Sequence, residues 1–228
     1  MTFSLDQILP WGRGYDEYAA MFGLVPEDLQ RRILGCADGS ASFNAIANRR
    51  GGGVVSVDPL YALSAAQVKE RIDEAFPIVM QETEANRDEF IWRQITSVEE
   101  LGKLRRAAMD EFLADYEVGT QEYRYVDGAL PALPFMDQTF ELALCSHFLF
   151  LYSEQLSLQF HLDSLKELCR VAEEVRIFPL HEQGARPSRH LRRVVDACQG
   201  SGLKPQIVEV DYEFQKGANR YLRLGVYP

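Results

Sequence analysis

The chain has 228 residues, 46% of them hydrophobic, and a formal charge of −10. That is enough for one large domain with a proper core, and the acidity disfavours nucleic acid and anionic membrane as partners, since both need a positive footprint. Met1–Asp6 carries no cationic segment ahead of an apolar one, and Leu142–Tyr152, the longest apolar run, holds Ser146 and His147. Neither a secretory signal nor a membrane span of about 20 residues is expected, which points to the cytoplasm.

In chain order, Tyr15–Phe22 is a short helical pattern, and Pro26-Glu27-Asp28-Leu29 is a further helical turn with Pro as its start signal. Arg32–Leu34 reads as a first strand, and a helix from about Ala41 to Arg49 is stopped by Gly51-Gly52-Gly53. Val54–Val57 is a second strand, β-branched enough for a buried parallel sheet. Residues 62–122 then turn helical, with Val68, Ile72 and Phe76, then Ile91 and Trp92, then Leu101, Leu104, Met109, Phe112 and Leu113 apolar. A crossover needs only about a dozen residues, so this stretch reads as a helical insertion beside the strand ends, either a lid or sheet cover.

Beyond it, Tyr123–Val126 and Glu141–Cys145 are strands, and Leu158, Leu162, Leu165 and Leu168 trace one face of a helix ending near Ala172. Val175–Phe178 is a strand whose central Arg176 needs a buried partner or an edge position, and Ser188–Cys198 is helical. Gln206–Phe214 and Arg220–Val226 form a terminal antiparallel hairpin around the loop Gln215–Asn219. The four cysteines, Cys36, Cys145, Cys169 and Cys198, show no paired spacing. They are expected to be reduced and buried, and no metal site is indicated. His181 and His190 flank a polar loop and are expected at the surface, and His161 as a packed or surface residue.

The most specific stretch is Gly35-Cys36-Ala37-Asp38-Gly39-Ser40-Ala41, answered by Asp58 at the end of the second strand. A strand, a turn of small residues, a helix and a strand-tip acid form a nucleotide-binding unit. The small residues alternate at 35, 37, 39 and 41, whereas the dinucleotide pattern would need glycine at 40, where Ser40 stands. The second block is Leu133-Pro134-Phe135 with Asp137, followed by Phe140-Glu141-Leu142-Ala143-Leu144-Cys145-Ser146-His147. Together with the terminal hairpin, these blocks resemble class I S-adenosylmethionine-dependent methyltransferases over about residues 13 to 226. The resemblance implies a Rossmann-like α/β fold, a seven-stranded mostly parallel sheet with an antiparallel last strand and helices on both faces.

It also implies S-adenosylmethionine as cofactor. Gly35, Ala37 and Gly39 would line its methionine part, Asp58 would accept the ribose hydroxyls, and Pro59 and Leu60 would flank the adenine. Ala129 and Leu130 would take the other adenine edge, with Asp127 competing for that role, and Ser146 and His147 would lie beneath the methyl group. Arg13 or Tyr18 would close over the cofactor's carboxylate, and His147 is the candidate general base. Tyr61 and Tyr152 are either pocket or core. Gly35 stands where the family usually has an acid, and Asp38 offers a substitute carboxylate on the same turn. Alanine at 37 and 41 is tolerable if the backbone there avoids positive φ. The leading expectation is methyl transfer to a small-molecule acceptor. The alternatives are a non-catalytic binding protein that keeps the fold, and, more weakly, a nicotinamide-dependent oxidoreductase.

Overall fold

The structure, a computed structural model, describes residues 9–225. The N-terminal stretch read for a signal, and Val226 of the last expected strand, lie outside the described residues. The chain runs α1 (Tyr15–Phe22), β1 (Arg32–Cys36), α2 (Phe43–Arg49), β2 (Gly53–Val57), α3 (Ala65–Ala85), α4 (Val98–Gln121) and β3 (Tyr125–Val126). It continues with β4 (Phe140–Ser146), α5 (Leu158–Val171), β5 (Ala172–Phe178), the short strands β6 (His181–Glu182) and β7 (Arg186–Pro187), α6 (Leu191–Gly200), β8 (Gln206–Glu209) and β9 (Arg220–Gly225).

The main sheet has seven strands in the order β3-β2-β1-β4-β5-β9-β8. Its pairs are parallel except those of β9, which lies antiparallel between β5 and β8. This is the Rossmann-like sheet with a reversed last strand that the resemblance implies. β6 and β7 pair only with each other.

Both faces are covered, which is why the central strands read as unbroken apolar runs. Alternate side chains go to opposite faces. Leu34, Cys36, Ala143, Cys145, Val175 and Ile177 pack with Leu165 and Leu168 of α5 and Val194 and Cys198 of α6. Ile33, Leu142 and Leu144 pack with Tyr18 and Phe22 of α1 and Phe43 of α2. Arg176 in the middle of β5 has its structural pair: Nη1 and Nη2 donate to Asp28 at 2.9 and 3.0 Å, and Nε donates to Glu174 at 2.7 Å.

The insertion is two helices, not one continuous run. α3 begins on the Ser64–Gln67 capping box and passes through Pro77, and α4 begins on Ser97, whose Oγ accepts from Glu100 N. Ile91 and Trp92, expected to be helical, lie in the connection. Phe90 bridges to Gln215, and Ile91 N donates to Phe214 O at 2.7 Å. Backbone pairing and the Phe90, Trp92 and Phe214 ring contacts hold the segment extended there.

The terminal hairpin differs likewise. Past Val210, whose N–H donates to Asn219 O, the chain leaves the ladder, so β8 ends at Glu209 instead of reaching Phe214. Tyr212 and Phe214 turn inward, and the expected five-residue loop is the longer segment Val210–Asn219. His181 is buried, contrary to the surface placement expected of it, because the loop around Gly217 packs on its ring. His190 is half-buried, and His161 is fully buried with both ring nitrogens against backbone carbonyls, of Ser157 at 2.8 Å and Leu149 at 2.9 Å. The four cysteines are free, three of them buried and Cys169 half-buried.

Candidate functional site

A cavity of about 470 Å³ opens at the carboxyl ends of β1, β2 and β4. That is where open α/β sheets take ligands, and the volume suits a small molecule, for which pockets run roughly 300–1,000 Å³. Its floor is the turn after β1. Ala37 N donates to Val57 O at 2.9 Å, and Gly39 N donates to Asp58 Oδ2 at 3.0 Å. Asp58 Oδ1 accepts from Leu60 N at 2.8 Å, and the Tyr61 hydroxyl donates to Gly39 O at 2.8 Å. Asp58 thus ties its own strand end to the turn it faces. Burial pushes its carboxyl up, against the pull of the Leu60 and Gly39 amides.

Ala37 and Gly39 both have positive φ, +55° and +53°. Alanine at 37 therefore sits in the left-handed region that the sequence reading required it to avoid, at a cost of roughly 1–2 kcal/mol. Over the turn lies the strap at Gly12 and Arg13. A Cβ on Gly12 would sit 2.1 Å from Ser40 O, and Ser42 N donates to Arg13 O at 3.1 Å.

Gly35 does not line the cavity. It lies within β1, opposite Ser56 on one side and Leu144 on the other. A Cβ there would meet Asp38 Oδ2 at 1.8 Å. The carboxylate of Asp38 folds back over Gly35 and fills the space that a side chain at 35 would take. It accepts from the Ser56 hydroxyl at 2.7 Å and the Tyr18 hydroxyl at 2.8 Å, and it faces the cavity while only 7% exposed. Burial raises its pKa to about 6, opposed by those two hydrogen bonds and assisted by Asp58.

Pro59, Leu60, Ala129, Leu130 and Ser146 also line the cavity, whereas Asp127 is exposed and does not. Tyr152 lines it, and Tyr61 packs instead with Phe112, Tyr116 and Tyr125 beneath the turn. His147 follows β4 with φ +51°, its N–H donating to Phe178 O at 2.7 Å. Its Nδ1 lies 2.8 Å from Ser146 Oγ. Burial, then the charges of Arg13 and Arg105, hold its pKa well below the ordinary histidine value, so the ring is neutral at pH 7.

Those two arginines belong to the far lobe. Arg13 donates from Nη1 to Trp11 O at 3.3 Å, and among the described residues its buried Nε has no hydrogen-bond partner. Arg105, from α4, is 1% exposed and grips Glu17 with both terminal nitrogens, Nη2 reaching Oε1 at 2.8 Å and Nη1 closing on Oε2. The Tyr212 hydroxyl donates to the same Glu17 Oε1 at 3.0 Å, and among the described residues Arg105 Nε is also buried without a hydrogen-bond partner. Burial alone would raise the Glu17 pKa, but the Arg105 charge and hydrogen bonds outweigh it and hold the carboxyl low. Val79 and Thr83 of α3, Leu101 of α4, Phe90 and Phe214 complete this lobe.

Against known proteins, the chain is 32% identical over 212 residues to an uncharacterized protein of Methanocaldococcus jannaschii, covering 92% of this chain and 93% of that one. The chain belongs to that protein's family. No family model matches. Among solved structures it is similar to a TehB-like SAM-dependent methyltransferase from Corynebacterium glutamicum, at 14% identity and a TM-score of 0.48 over 92% of this chain and 87% of that one. A SAM-dependent methyltransferase from Aquifex aeolicus is similar at 14% identity and a TM-score of 0.40, over 84% of this chain and 79% of that one.

Sequence reasoning missed Glu17, Arg105 and Tyr212. One signal was present: Leu101, Arg105, Met109 and Phe112 follow helical spacing on the buried face of α4, and an arginine on an apolar face needs a partner. Nothing local marked Tyr212, which was read as part of a strand. Among the described residues no cluster of histidine, cysteine, aspartate or glutamate is built to hold a metal, and no helix is long and apolar enough to cross a membrane.

Proposed function

We propose that the chain is an S-adenosylmethionine-dependent methyltransferase acting on a small-molecule acceptor. The observation that carries this reading is the pair of carboxylates at the turn after β1, half-buried Asp58 at the tip of β2 and buried Asp38 folded over Gly35. The residues present fit the cofactor. Each Asp58 oxygen accepts one amide and keeps a second lone pair for a ribose hydroxyl. Asp38 has spare acceptor capacity for an ammonium group, and the unpartnered Nε of Arg13 suits a carboxylate. Ala37 and Gly39 would run along the methionine part, Pro59 and Leu60 along one adenine face, and Ala129 and Leu130 along the other. Ser146 and His147 would stand below the reacting centre.

When bound, the cofactor supplies a sulfonium-activated methyl group, transferred as its carbon–sulfur bond breaks and sulfur keeps the electron pair. The protein's share is alignment and exclusion of water. Gly12 and Arg13 close over the turn, and the insertion at 62–122 walls off the acceptor lobe. With its Nδ1 held at Ser146, His147 has Nε2 to take a proton from a protic acceptor, and its neutrality at pH 7 leaves that atom free to do so. Gly35, which stands where the family usually has an acid, has a physical account in the Asp38 carboxylate over it.

Calorimetric titration with S-adenosylhomocysteine tests the reading. Micromolar binding is expected, weakened about 10- to 100-fold by Asp38→Asn, the loss of a charge-assisted hydrogen bond. Absence of binding at millimolar ligand would sink it, and unchanged affinity in the variant would remove Asp38 from the site.

A further inference from the structure

Val79, Leu101, Phe90 and Phe214 give the cavity an apolar wall, yet α4 places one of the least exposed arginines of the fold in the same lining. A buried ion pair is a weak source of stability, because desolvating both charges offsets most of their attraction. The pair of Arg105 and Glu17, capped by Tyr212, does link α4 to α1 and to the Val210–Asn219 loop. Among the described residues, however, Arg105 Nε is buried at the cavity wall without a hydrogen-bond partner, which leaves that donor for a ligand.

The charges in the lobe do not balance either. Arg13 and Arg105 face one carboxylate, Glu17, while Asp38 is engaged with the Tyr18 and Ser56 hydroxyls and Asp58 with the turn on the floor. Loading the site as proposed above redistributes these charges: the cofactor's carboxylate offsets Arg13 and its ammonium offsets Asp38, which leaves Asp58 under the ribose and the sulfonium's positive charge beside the acceptor. Arg71 on α3 adds another cation at the exposed rim of the same cavity. A lobe of this kind rejects cations and favours a molecule that brings one negative charge together with a flat apolar body.

Resting on the methyltransferase reading, we infer that the methyl acceptor is a small aromatic acid, its carboxylate meeting Arg105 and its ring lying among Phe90, Leu101 and Phe214. Arg105 is then a specificity-determining residue of the insertion, and Glu17 and Tyr212 are positioning residues that fix the guanidinium plane. The nucleophile, on the far side of the ring from the carboxylate, is directed towards His147.

The test compares three probes of one shape on the unmodified protein by calorimetry: 4-hydroxybenzoate, its neutral amide, and 4-hydroxybenzylamine as the cation. Each is titrated with and without saturating S-adenosylhomocysteine. The carboxylate is expected to bind at least tenfold more tightly than the amide, the amine is expected not to bind, and Arg105→Gln is expected to abolish the preference while leaving S-adenosylhomocysteine affinity within a few-fold. Equal affinity for acid and amide, preference for the amine, or no binding of any probe at millimolar concentration would overturn the inference. The probe series on the native chain stands even if the Arg105 variant does not fold. S-adenosylhomocysteine binding is read separately, so failure of the methyltransferase reading and failure of the acceptor assignment give different results.

Discussion

The floor and the roof of the cavity are built by different means. The floor is strand-end geometry: the register of Cys36 with Val57 and with Cys145 brings the Ala37 turn, Asp58 and Ser146 together. The roof is assembled by side chains from segments remote in sequence, Glu17 on α1, Arg105 on α4, Tyr212 and Phe214 on the loop before β9, and Phe90 between the two helices of the insertion. On the proposed reading, a floor fixed by backbone hydrogen bonds would hold one cofactor unchanged while the roof varies, and the roof would be where an acceptor is chosen.

The largest effect that would break this comparison is expected at Gly35. Gly35→Asp restores the acid the methyltransferase resemblance leads one to expect, but it drives a Cβ into the Asp38 carboxylate and buries a second charge beside it. Overpacking and an uncompensated buried charge together should cost about 4 kcal/mol in urea denaturation. Adding Asp38→Gly should recover most of the loss and keep S-adenosylhomocysteine binding, because the carboxylate has then only changed its point of attachment. If the double variant is no more stable than the single one, the two positions are not coupled.

The roof should respond in stability more than in cofactor affinity. Glu17→Ala strands the buried Arg105 and is expected to cost about 3 kcal/mol of stability. Since Glu17 touches nothing on the floor, S-adenosylhomocysteine affinity should move less than it does in Asp38→Asn. A larger drop in cofactor affinity than in stability would mean that roof and floor are one unit.

A pH titration separates them without mutation. The pKa of Asp38 is raised to about 6 by burial, above its value in the unfolded chain. Its stabilising contribution is therefore complete below the unfolded value near 4 and is lost as pH rises through 6, by at most 2–3 kcal/mol. Asp58 is shifted the same way. Cofactor affinity should run the other way, since the ionised carboxylate is the form that holds an ammonium: below pH 6 it should fall about tenfold per unit. Asp38→Asn should flatten both profiles, and a wild-type affinity that is level between pH 5 and 7 would count against an ionised Asp38 in binding.

The same contrast explains what could be read in advance. The alternation of strands and helices, the terminal hairpin and the residues of the floor follow from local patterns (β-branched runs, small residues at a turn, an acid at a strand tip), and the reversed β9 from the resemblance they carry. Even the exchange of the acid between positions 35 and 38 was visible as a missing charge with a neighbour to replace it. What local pattern could not give was the inward fold of Tyr212 and Phe214, which alternate as a strand does yet leave the ladder because Glu17 and the Phe90–Trp92 rings hold them. His181 failed for a similar reason: a histidine beside a polar loop reads as exposed until the Gly217 turn is packed on it. Long-range contacts override local preference most strongly where the roof closes.

The smallest expected effect lies at Ala37. Its φ of +55° costs roughly 1–2 kcal/mol in an L-residue with a Cβ, a strain that Ala37→Gly would remove. Glycine also widens the unfolded ensemble, which returns about 0.4–1 kcal/mol of that gain. The net change should be a stabilisation of about 0.5 kcal/mol, a shift of one or two degrees in Tm for a chain of this size. Cofactor affinity should stay within twofold, because Ala37 N keeps its bond to Val57 O. The contrast with Gly39, at φ +53° two residues on, is informative. Gly39→Ala would add the strain that Ala37→Gly removes, and its N–H and C=O are the groups tied to Asp58 and Tyr61, so it should lose both stability and cofactor affinity. Equal responses at 37 and 39 would mean that the turn needs small residues only for room. Opposite responses locate its rigidity in the carboxylate of Asp58 and the hydroxyl of Tyr61.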